Sequence, residues 1–292
     1  MNASSSIAVR SGSYPGWMAD PAVQRSSETP LQKEQRSITV IFPAFNEALN
    51  IRRAVQQSIE AMSPRFDRFE LLIIDDGSRD NTGSIAEELA ATYPEITVLH
   101  NERNMGLGET LYRGFQCAKG ELVIQNAMDY PLDLRDLDDL LPVLDEADVV
   151  VAVRKAYAGY TPYRKLTSKV NRAILRLLFN PKLRDYNYTQ LFKRKVLEAA
   201  RPSSRSTVFI APEIIIRAHE LGFRIKEVEV DYHPRIAGEA TSGQPKVILR
   251  SVRDMFAFWI KRSFTTRHYS QQWSTLRSRK AKSLIPGLDR ES

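Results

Sequence analysis

Leu71–Ser78, with the sequence LLIIDDGS, places four consecutive apolar residues directly before two aspartates, a glycine and a serine. A short apolar run bounded by turn-forming residues predicts a buried β-strand that ends in a tight turn. Strands buried on both faces are typical of parallel sheets covered by helices. In such sheets ligands bind beyond the carboxyl ends of the strands, so Asp75 and Asp76 are the first candidates for a binding site.

The same alternation of apolar runs and amphipathic segments continues on both sides of this stretch. Strands are predicted at residues 38–42, 71–74, 96–99, 121–125 and 148–153. Helices are predicted between them at 46–61, 80–91, 108–118 and 134–144. This alternation predicts an α/β fold with a mainly parallel sheet flanked by helices. Polar clusters follow four of the strands, at 43–47, 75–78, 101–108 and 126–131, which predicts one shared binding crevice.

The second half of the chain is less regular. Helices are predicted at 165–179, 196–200, 212–221 and 247–264, and a strand at 225–232. Residues 1–36 are rich in serine and lack apolar periodicity, so we expect a mostly disordered leader before one domain of residues 37–264. The polar composition of residues 265–292 predicts a flexible basic tail.

The composition excludes several classes of protein. One cysteine, Cys117, in 292 residues rules out a disulfide framework and multi-cysteine structural zinc sites. The formal net charge is +7, with the excess concentrated in residues 154–184 and after residue 260. This surplus suits a phosphate-rich ligand, an anionic membrane or nucleic acid, or simply a solvated basic surface. We expect no nucleic-acid partner, because aromatic residues do not interleave with these charges as they do in nucleic-acid-binding modules.

The chain shows no sequence pattern of membrane insertion or secretion. No segment approaches the about 18 consecutive apolar residues of a spanning helix, and the N-terminus lacks a signal-peptide pattern. The expected location is therefore the cytoplasm. The helix predicted at 247–264 has aromatic residues beside arginines and lysines, as helices at a membrane interface do. Peripheral attachment to the inner face of an anionic membrane and plain packing on the core both remain open, since both need an apolar stripe.

Three motifs, in matching order and spacing, resemble those of family 2 glycosyltransferases. They are VIFPAFNE at Val40–Glu47, LIIDDGSRDNT at Leu72–Thr82 and RNMGLG at Arg103–Gly108. Further motifs at 212–213, 222–225 and 232–235 resemble the polyprenyl-phosphate branch, which includes dolichol-phosphate-mannose-synthase-like enzymes. The resemblance covers residues 37–262 and implies a GT-A fold, a nucleotide-sugar donor and a lipid-phosphate acceptor.

The resemblance implies a nucleotide pocket at the first four strand ends. Its residues are Pro43, Phe45, Glu47, Asp75, Asp76, Arg103, Gly106, Asn126 and Ala127. Either aspartate can accept a hydrogen bond from a nucleobase N–H, and the forked guanidinium of Arg103 suits a diphosphate. Glu47 suits a ribose hydroxyl, and Gly106 permits close backbone approach. The ordinary alternatives are helix-capping aspartates, a glutamate in a first helical turn and a surface arginine.

The end of the fourth predicted strand departs from the family pattern. The family places Asp-x-Asp there to hold a divalent cation against the sugar diphosphate, whereas this chain has Ala127 at the first position and Asp129 at the second. Asn126 is adjacent, and Pro131 stands where this branch often has glutamine. Mg²⁺ needs only one or two carboxylates besides substrate phosphates, so Mg²⁺ or Mn²⁺ is compatible with Asp129 as metal ligand and catalytic residue. The alternative is that Asp129 is a turn residue and the site is weak or inactive.

The acceptor determines which further groups are needed. A lipid phosphate already has an anionic oxygen, so positioning and charge neutralisation replace a general base. The basic stretch, with Arg164 and Arg184 beside Asp185, is predicted to bind that phosphate. A hydroxyl acceptor would need a base, for which Glu213 or Asp185 is the candidate, although Glu213 also suits a first helical turn.

A loop around Arg235 completes the predicted catalytic set. Arg235 precedes IAGEATSG and resembles the start of the family's flexible acceptor loop, so we predict a role in catalysis, with a plain surface loop as the alternative.

Three functions are compatible with these features. The first is transfer, with inversion implied by the resemblance alone, from a UDP- or GDP-sugar to a polyprenyl phosphate or related cell-envelope acceptor. The second is nucleotide-sugar binding with reduced or lost catalysis, because Ala127 replaces an aspartate. The third, an NAD-type dehydrogenase, is disfavoured because no Gly-x-Gly-x-x-Gly follows the first strand.

Overall fold

The computed structural model describes residues 33–155, 162–231 and 249–262, which form one seven-stranded sheet with helices on both faces. The strands are β1 (Ile38–Ala44), β2 (Phe69–Asp75), β3 (Ile96–His100), β4 (Leu122–Gln125), β5 (Val149–Arg154), β6 (Thr189–Lys193) and β7 (Ile225–Val230). The helices are α1 (Ile51–Met62), α2 (Thr82–Thr92), α3 (Leu107–Cys117), α4 (Leu137–Leu140), α5 (Pro162–Leu178), α6 (Arg194–Ala200), α7 (Ile210–Glu220) and α8 (residues 249–262).

The strand order in the sheet is β3-β2-β1-β4-β6-β5-β7. The first four strands pair in parallel, with Val40 of β1 opposite Leu71 of β2 and Ile124 of β4. Strand β6 runs antiparallel to both β4 and β5, and β7 is parallel to β5. The predicted mainly parallel α/β sheet is therefore confirmed, with β6 as the strand that runs against the others.

Strand β6 was not predicted. Its sequence, TQLFK, places Thr189 and Gln190 in the sheet interior, where both are buried. A five-residue strand with two buried polar side chains has neither an apolar run nor alternating polarity. Its place depends on β4 and β5, which supply hydrogen-bond partners along both of its edges.

Two predicted helices differ in the structure. Helix α1 begins at Ile51 instead of residue 46, because Asn46 has a left-handed backbone with φ 56° and residues 48–50 form a turn. The helix predicted at 134–144 is divided into α4 and two 3₁₀ turns, Leu134–Asp136 and Pro142–Asp145. Pro142 has no N–H for an α-helical hydrogen bond, so a continuous helix is interrupted there.

The two faces of the sheet bury separate hydrophobic clusters. Along β2, Leu71 and Ile73 face the cluster covered by α1 and α2, while Leu72 and Ile74 face the cluster that contains residues of α3, α5, α7 and α8. Successive side chains of a strand point to opposite faces, so a run of four apolar residues serves both clusters. This burial leaves the polar side chains to the strand ends.

The predicted leader, tail and acceptor loop lie almost entirely outside the described residues. Of the leader, residues 33–36 are described, and Glu34 forms an isolated parallel bridge with Phe66. Within the ranges given above, none of the helices combines the length and the apolar character that a membrane crossing requires.

Candidate functional site

The carboxyl ends of β1 and β2 are joined by hydrogen bonds between their following loops. The Asn46 N–H donates to Ser78 Oγ at 2.9 Å, and the Arg79 N–H donates to Asn46 Oδ1 at 2.9 Å. The Glu47 N–H donates to Thr82 Oγ1 at 2.8 Å. Pro43 is the penultimate residue of β1, and Phe45, just beyond the strand, is exposed. The structure thus brings the first two predicted polar clusters together.

Asp76 fixes the loop that follows β3. One carboxylate oxygen accepts hydrogen bonds from Asn101 Nδ2 at 2.7 Å and the Met105 N–H at 2.8 Å. The other accepts from the Gly106 N–H at 2.8 Å. Gly106 has φ 87°, a conformation that glycine adopts readily. The buried Asp76 carboxylate therefore holds the loop of Arg103 and Gly106 beside the β2 turn.

Gly77 explains how closely Arg103 approaches that turn. A Cβ atom at Gly77 would lie 2.5 Å from the Arg103 carbonyl carbon, and the backbone φ of Gly77 is +67°. Only glycine meets both conditions, because its missing Cβ lets the Arg103 backbone pack directly on Gly77. Arg103, which is predicted to bind the diphosphate, therefore lies next to Asp76, which is predicted to bind the nucleobase.

Asp75 has partners on two sides. Its Oδ1 accepts from the Ser78 N–H at 3.0 Å, and its Oδ2 lies 3.1 Å from His100 Nδ1. His100 Nε2 lies 2.8 Å from Glu87 Oε1. The hydrogen bonds with Glu87 and then Asp75 raise the pKa of His100 above its ordinary value. His100 is a residue that the motifs did not indicate, because it precedes the Arg-Asn-x-Gly loop.

The end of β4 forms a compact turn around Asp129. Asn126 Nδ2 donates to the Leu132 carbonyl at 2.8 Å, and its Oδ1 accepts from the Ala127 N–H at 3.0 Å. Tyr130 adopts a left-handed φ of 54°, and its N–H donates to the Ala127 carbonyl at 2.9 Å. Burial raises the pKa of Tyr130 to about 12, so its phenol stays protonated at neutral pH. Asp129 is buried within this turn.

A buried ion pair supports the turn from the β5 side. Arg154 Nη2 lies 2.6 Å from Asp185 Oδ2, and the guanidinium stacks 5.0 Å from the Tyr188 ring centre. The Tyr188 hydroxyl donates to the Pro131 carbonyl at 2.7 Å. Asp185 is therefore the partner of Arg154, and this pairing favours a supporting role over the predicted acceptor or base role. Tyr188 directly precedes β6, and the sequence motifs did not indicate it.

Glu213 is fully buried in the first turn of α7. Its carboxylate accepts hydrogen bonds from Ser203 N, Ser203 Oγ, Ser204 N and Arg217 Nε at 2.6–2.9 Å. Four donors occupy both oxygens, which favours a positioning role over general-base catalysis. The segment it holds packs against the first turn of α3, because a Cβ atom at Gly108 would lie 2.1 Å from the Arg205 carbonyl oxygen.

Three further predicted residues are Arg164 and Arg184, for acceptor binding, and Arg235, for catalysis, and the structure describes the side chain of Arg184 alone among them. Arg184 pairs with Glu229 of β7, with 2.6 Å between Nη1 and Oε1. Arg164 belongs to α5, but its side chain is outside the description, and Arg235 lies outside the described residues. Across the described ranges, no three His, Cys, Asp or Glu side chains are grouped as a metal site would require. A cation at Asp129 fits the common Mg²⁺ arrangement in which one or two carboxylates act together with substrate phosphate oxygens.

Comparison with known proteins defines the class of this chain. The model of Glycosyl transferase family 2 matches residues 39–201, which is more than half of the 292 residues. The chain belongs to glycosyl transferase family 2, as the three motifs predicted. The matched region contains all four strand ends that form the candidate site.

More particular likenesses come from individual relatives. Glycosyltransferase AglD of Haloferax volcanii is 29% identical over 207 residues, covering 68% of this chain and 33% of that protein. The undecaprenyl-phosphate 4-deoxy-4-formamido-L-arabinose transferase of Proteus mirabilis is 26% identical over 214 residues, covering 72% of this chain and 64% of that protein. The chain thus matches between a third and just under two thirds of the length of these relatives.

Solved structures confirm the GT-A fold. Glucosyl-3-phosphoglycerate synthase from Mycobacterium tuberculosis, in complex with Mn²⁺, UDP and phosphoglyceric acid, superposes with a TM-score of 0.58 at 19% identity, covering 77% of this chain and 78% of that one. The same enzyme with Mg²⁺ and UDP gives a TM-score of 0.55 at 21% identity, covering 76% and 79%. At such identities the likeness concerns the fold.

Proposed function

We propose that the protein transfers a sugar from a UDP- or GDP-sugar to a polyprenyl phosphate or a related cell-envelope acceptor. The observation that carries this proposal is the joining of the ends of β1, β2 and β3 by hydrogen bonds, with β4 paired beside β1, within the region matched by the glycosyl transferase family 2 model. The Proteus mirabilis relative, which is named for transfer to undecaprenyl phosphate, supports the class of acceptor.

The donor lies along the ends of β1, β2 and β3 in this proposal. Asp75 and Asp76 face the nucleobase, Glu47 the ribose and Arg103 the diphosphate. An ionised carboxylate has about four lone-pair sites, so Asp76 retains acceptor capacity beyond the three hydrogen bonds of the loop. Pro43, Phe45, Gly106, Asn126 and Ala127 form the walls of the same pocket.

A divalent cation, Mg²⁺ or Mn²⁺, is proposed beside Asp129. One buried carboxylate at the end of β4 fits a cation that is also bound by the diphosphate of the donor, since Mg²⁺ commonly combines one or two carboxylates with substrate phosphates. When bound, such a cation neutralises charge on the leaving diphosphate. The Asn126 side chain is already engaged with Leu132 and Ala127, so it shapes the turn.

The chemical step in this proposal is one displacement at the anomeric carbon. An acceptor phosphate oxygen forms the new bond, the bond to the donor diphosphate breaks, and the nucleoside diphosphate leaves with that electron pair. Attack from the opposite face inverts the anomeric configuration. Because the phosphate is already anionic, binding and orientation by basic groups such as Arg164, Arg184 and Arg235 replace proton abstraction.

A lipid acceptor requires that the protein reach a bilayer, so we place it peripherally on the cytoplasmic face of an anionic membrane. Helix α8 supports this placement only in part. Its Met255 and Phe258 are buried in the core, while Phe256, Trp259 and Ile260 are partly exposed. Core packing therefore accounts for Met255 and Phe258, and in this proposal Phe256, Trp259 and Ile260 supply the interfacial contact.

A second candidate function is nucleotide-sugar binding without efficient transfer. Ala127 favours it, because it removes one of the two carboxylates that the family pattern provides.

A single experiment separates the two candidate functions. The protein is incubated with UDP- and GDP-sugars, Mn²⁺ and a detergent-solubilised polyprenyl phosphate, and glycosylated lipid is then detected. Product formation supports the transferase, whereas donor binding with neither glycosylated lipid nor hydrolysis of the donor supports the binding protein. Absence of donor binding contradicts both.

A further inference from the structure

One side of α5 is an exposed apolar stripe. Tyr163, Leu166, Val170 and Leu177 are 52%, 60%, 49% and 84% exposed. Their spacing of three, four and seven residues aligns them on one face of the helix. The same periodicity places Leu175 on the opposite face, and Leu175 is buried in the core. The helix is therefore anchored along one side, while its second apolar side faces outward.

The stripe lies in a strongly basic part of the chain. Residues 155–184 contain eight lysines and arginines and no aspartate or glutamate. Lys165 and Lys169 are exposed next to the stripe. Arg172 and Arg176 donate to backbone carbonyls at the end of the following loop, at 2.8 Å each. An apolar stripe bordered by cations is the pattern of helices that lie in a membrane surface.

Helix α8 is next to α5. Phe179, which directly follows α5, lies 5.8 Å from Phe258 of α8 between ring centres, and the Arg262 guanidinium lies 5.7 Å from the Phe179 ring. The partly exposed Trp259 is therefore on a helix that adjoins α5. The two helices give the domain a neighbouring pair of partly apolar, basic surfaces on the sheet face opposite α1.

The charge decides what can cover the stripe of α5. A second copy of this chain would bring two acid-free basic stretches together, and like charges in contact oppose association. An anionic phospholipid surface suits both features, because apolar side chains enter the acyl boundary while lysines contact the headgroups. A neutral bilayer would leave the cations without counter-charges.

We propose that α5 is the main membrane-docking helix of this protein, lying in the surface of an anionic bilayer with Tyr163, Leu166, Val170 and Leu177 directed into it. This deepens the proposed function, since it identifies the surface that presents the site to a lipid acceptor. The biological role of docking rests on the proposed function. Docking itself can be measured separately, because it requires neither donor nor acceptor.

The test is co-sedimentation of the full chain with vesicles of phosphatidylcholine alone or mixed with phosphatidylglycerol, at low and high salt. The variant is Leu166→Glu with Val170→Glu, which places two carboxylates on an exposed face and leaves the core unchanged. Leu49→Glu is the matched control, because Leu49 is 93% exposed and precedes α1 on the other face of the sheet. Circular dichroism and sedimentation velocity verify folding and oligomeric state.

We expect the wild type and the Leu49→Glu control to bind only the anionic vesicles, and less at high salt as screening increases. The α5 variant should bind at least about tenfold more weakly, equivalent to about 1.4 kcal/mol. Unchanged binding by the α5 variant, or equal wild-type binding to neutral vesicles, overturns the proposal. A wild-type dimer that the α5 variant abolishes also overturns it, in favour of a second copy. Failure of transfer with detergent-solubilised lipid would instead count against the proposed function alone.

Discussion

His100 Nδ1 lies 3.1 Å from Asp75 Oδ2, so the side chain proposed to face the nucleobase is held by an imidazole on one side and by the Ser78 N–H on the other. Glu87 contacts the second ring nitrogen from α2, and Arg113 of α3 donates to the His100 carbonyl. Two carboxylates around one imidazole favour its doubly protonated form. His100 therefore connects the charge of the site to pH.

The stability of the protein should decrease as pH rises through the raised pKa of His100. The folded pKa exceeds the unfolded value near 6.5, so the stabilisation is fully present below that value and is lost above the folded pKa. His100 is partly exposed, and solvent screening keeps the effect at or below about 1 kcal/mol. In urea unfolding across this pH range, the unfolding free energy of the wild type should decrease as pH rises. His100→Gln should remove this dependence on pH. Parallel profiles for the two proteins would contradict the assignment.

Asp75→Asn and Asp76→Asn should both weaken binding of UDP or GDP in calorimetry. In Asp76→Asn one of the two acceptor oxygens becomes an NH₂ group, so the side chain can no longer accept from both the Met105 and the Gly106 N–H. We therefore also expect a loss of about 1.5–3 kcal/mol in unfolding free energy. Asp139→Asn, on the exposed side of α4, is the control. Wild-type nucleotide affinity in both site variants would refute the nucleobase role.

Asp129→Ala should abolish Mn²⁺-dependent turnover of the nucleotide-sugar while leaving the unfolding transition largely cooperative. The reason is that it removes the only carboxylate aligned with the family's metal-binding pair. Asp139→Ala should retain wild-type turnover and metal dependence. Full wild-type activity in EDTA would disprove the metal assignment, and the transferase proposal would still stand.

Glu213→Gln should reduce stability more than it alters the chemistry. The substitution removes the charge that four donors share, which we expect to lower the unfolding free energy by about 1.5–3 kcal/mol. Loss of a general base would lower turnover by about 10²–10⁴ and change the pH–rate profile. We expect an unchanged profile for folded Glu213→Gln, measured beside the surface control Glu198→Gln. A shifted profile would support the predicted base role of Glu213.

Arg154→Met should be strongly destabilising, by about 3–5 kcal/mol, because it leaves the Asp185 carboxylate buried without its cation. Adding Asp185→Asn should recover part of this loss in a double-mutant cycle monitored by urea unfolding. Additive single losses would show that the two side chains do not act as a pair.

The sequence was most informative where a pattern is local. The apolar run at Leu71–Ile74 and the turn at Asp75–Ser78 predicted both the strand and the position of the site. The motifs predicted the family because each depends on a few adjacent residues. Strand β6 and the 3₁₀ turns around α4 escaped prediction, since short segments with mixed polarity take their conformation from their neighbours.

Partners distant in the sequence were decided by the tertiary structure. The sequence by itself determined the α/β class, the family and the residues at the strand ends, because periodicity and turn chemistry are encoded in adjacent positions. Only the fold joined Asp76 to Gly106, Asp75 to His100 and Arg154 to Asp185. It also determined that Glu213 is fully engaged and that one face of α5 remains exposed, because hydrogen-bond partners and burial depend on which elements pack together.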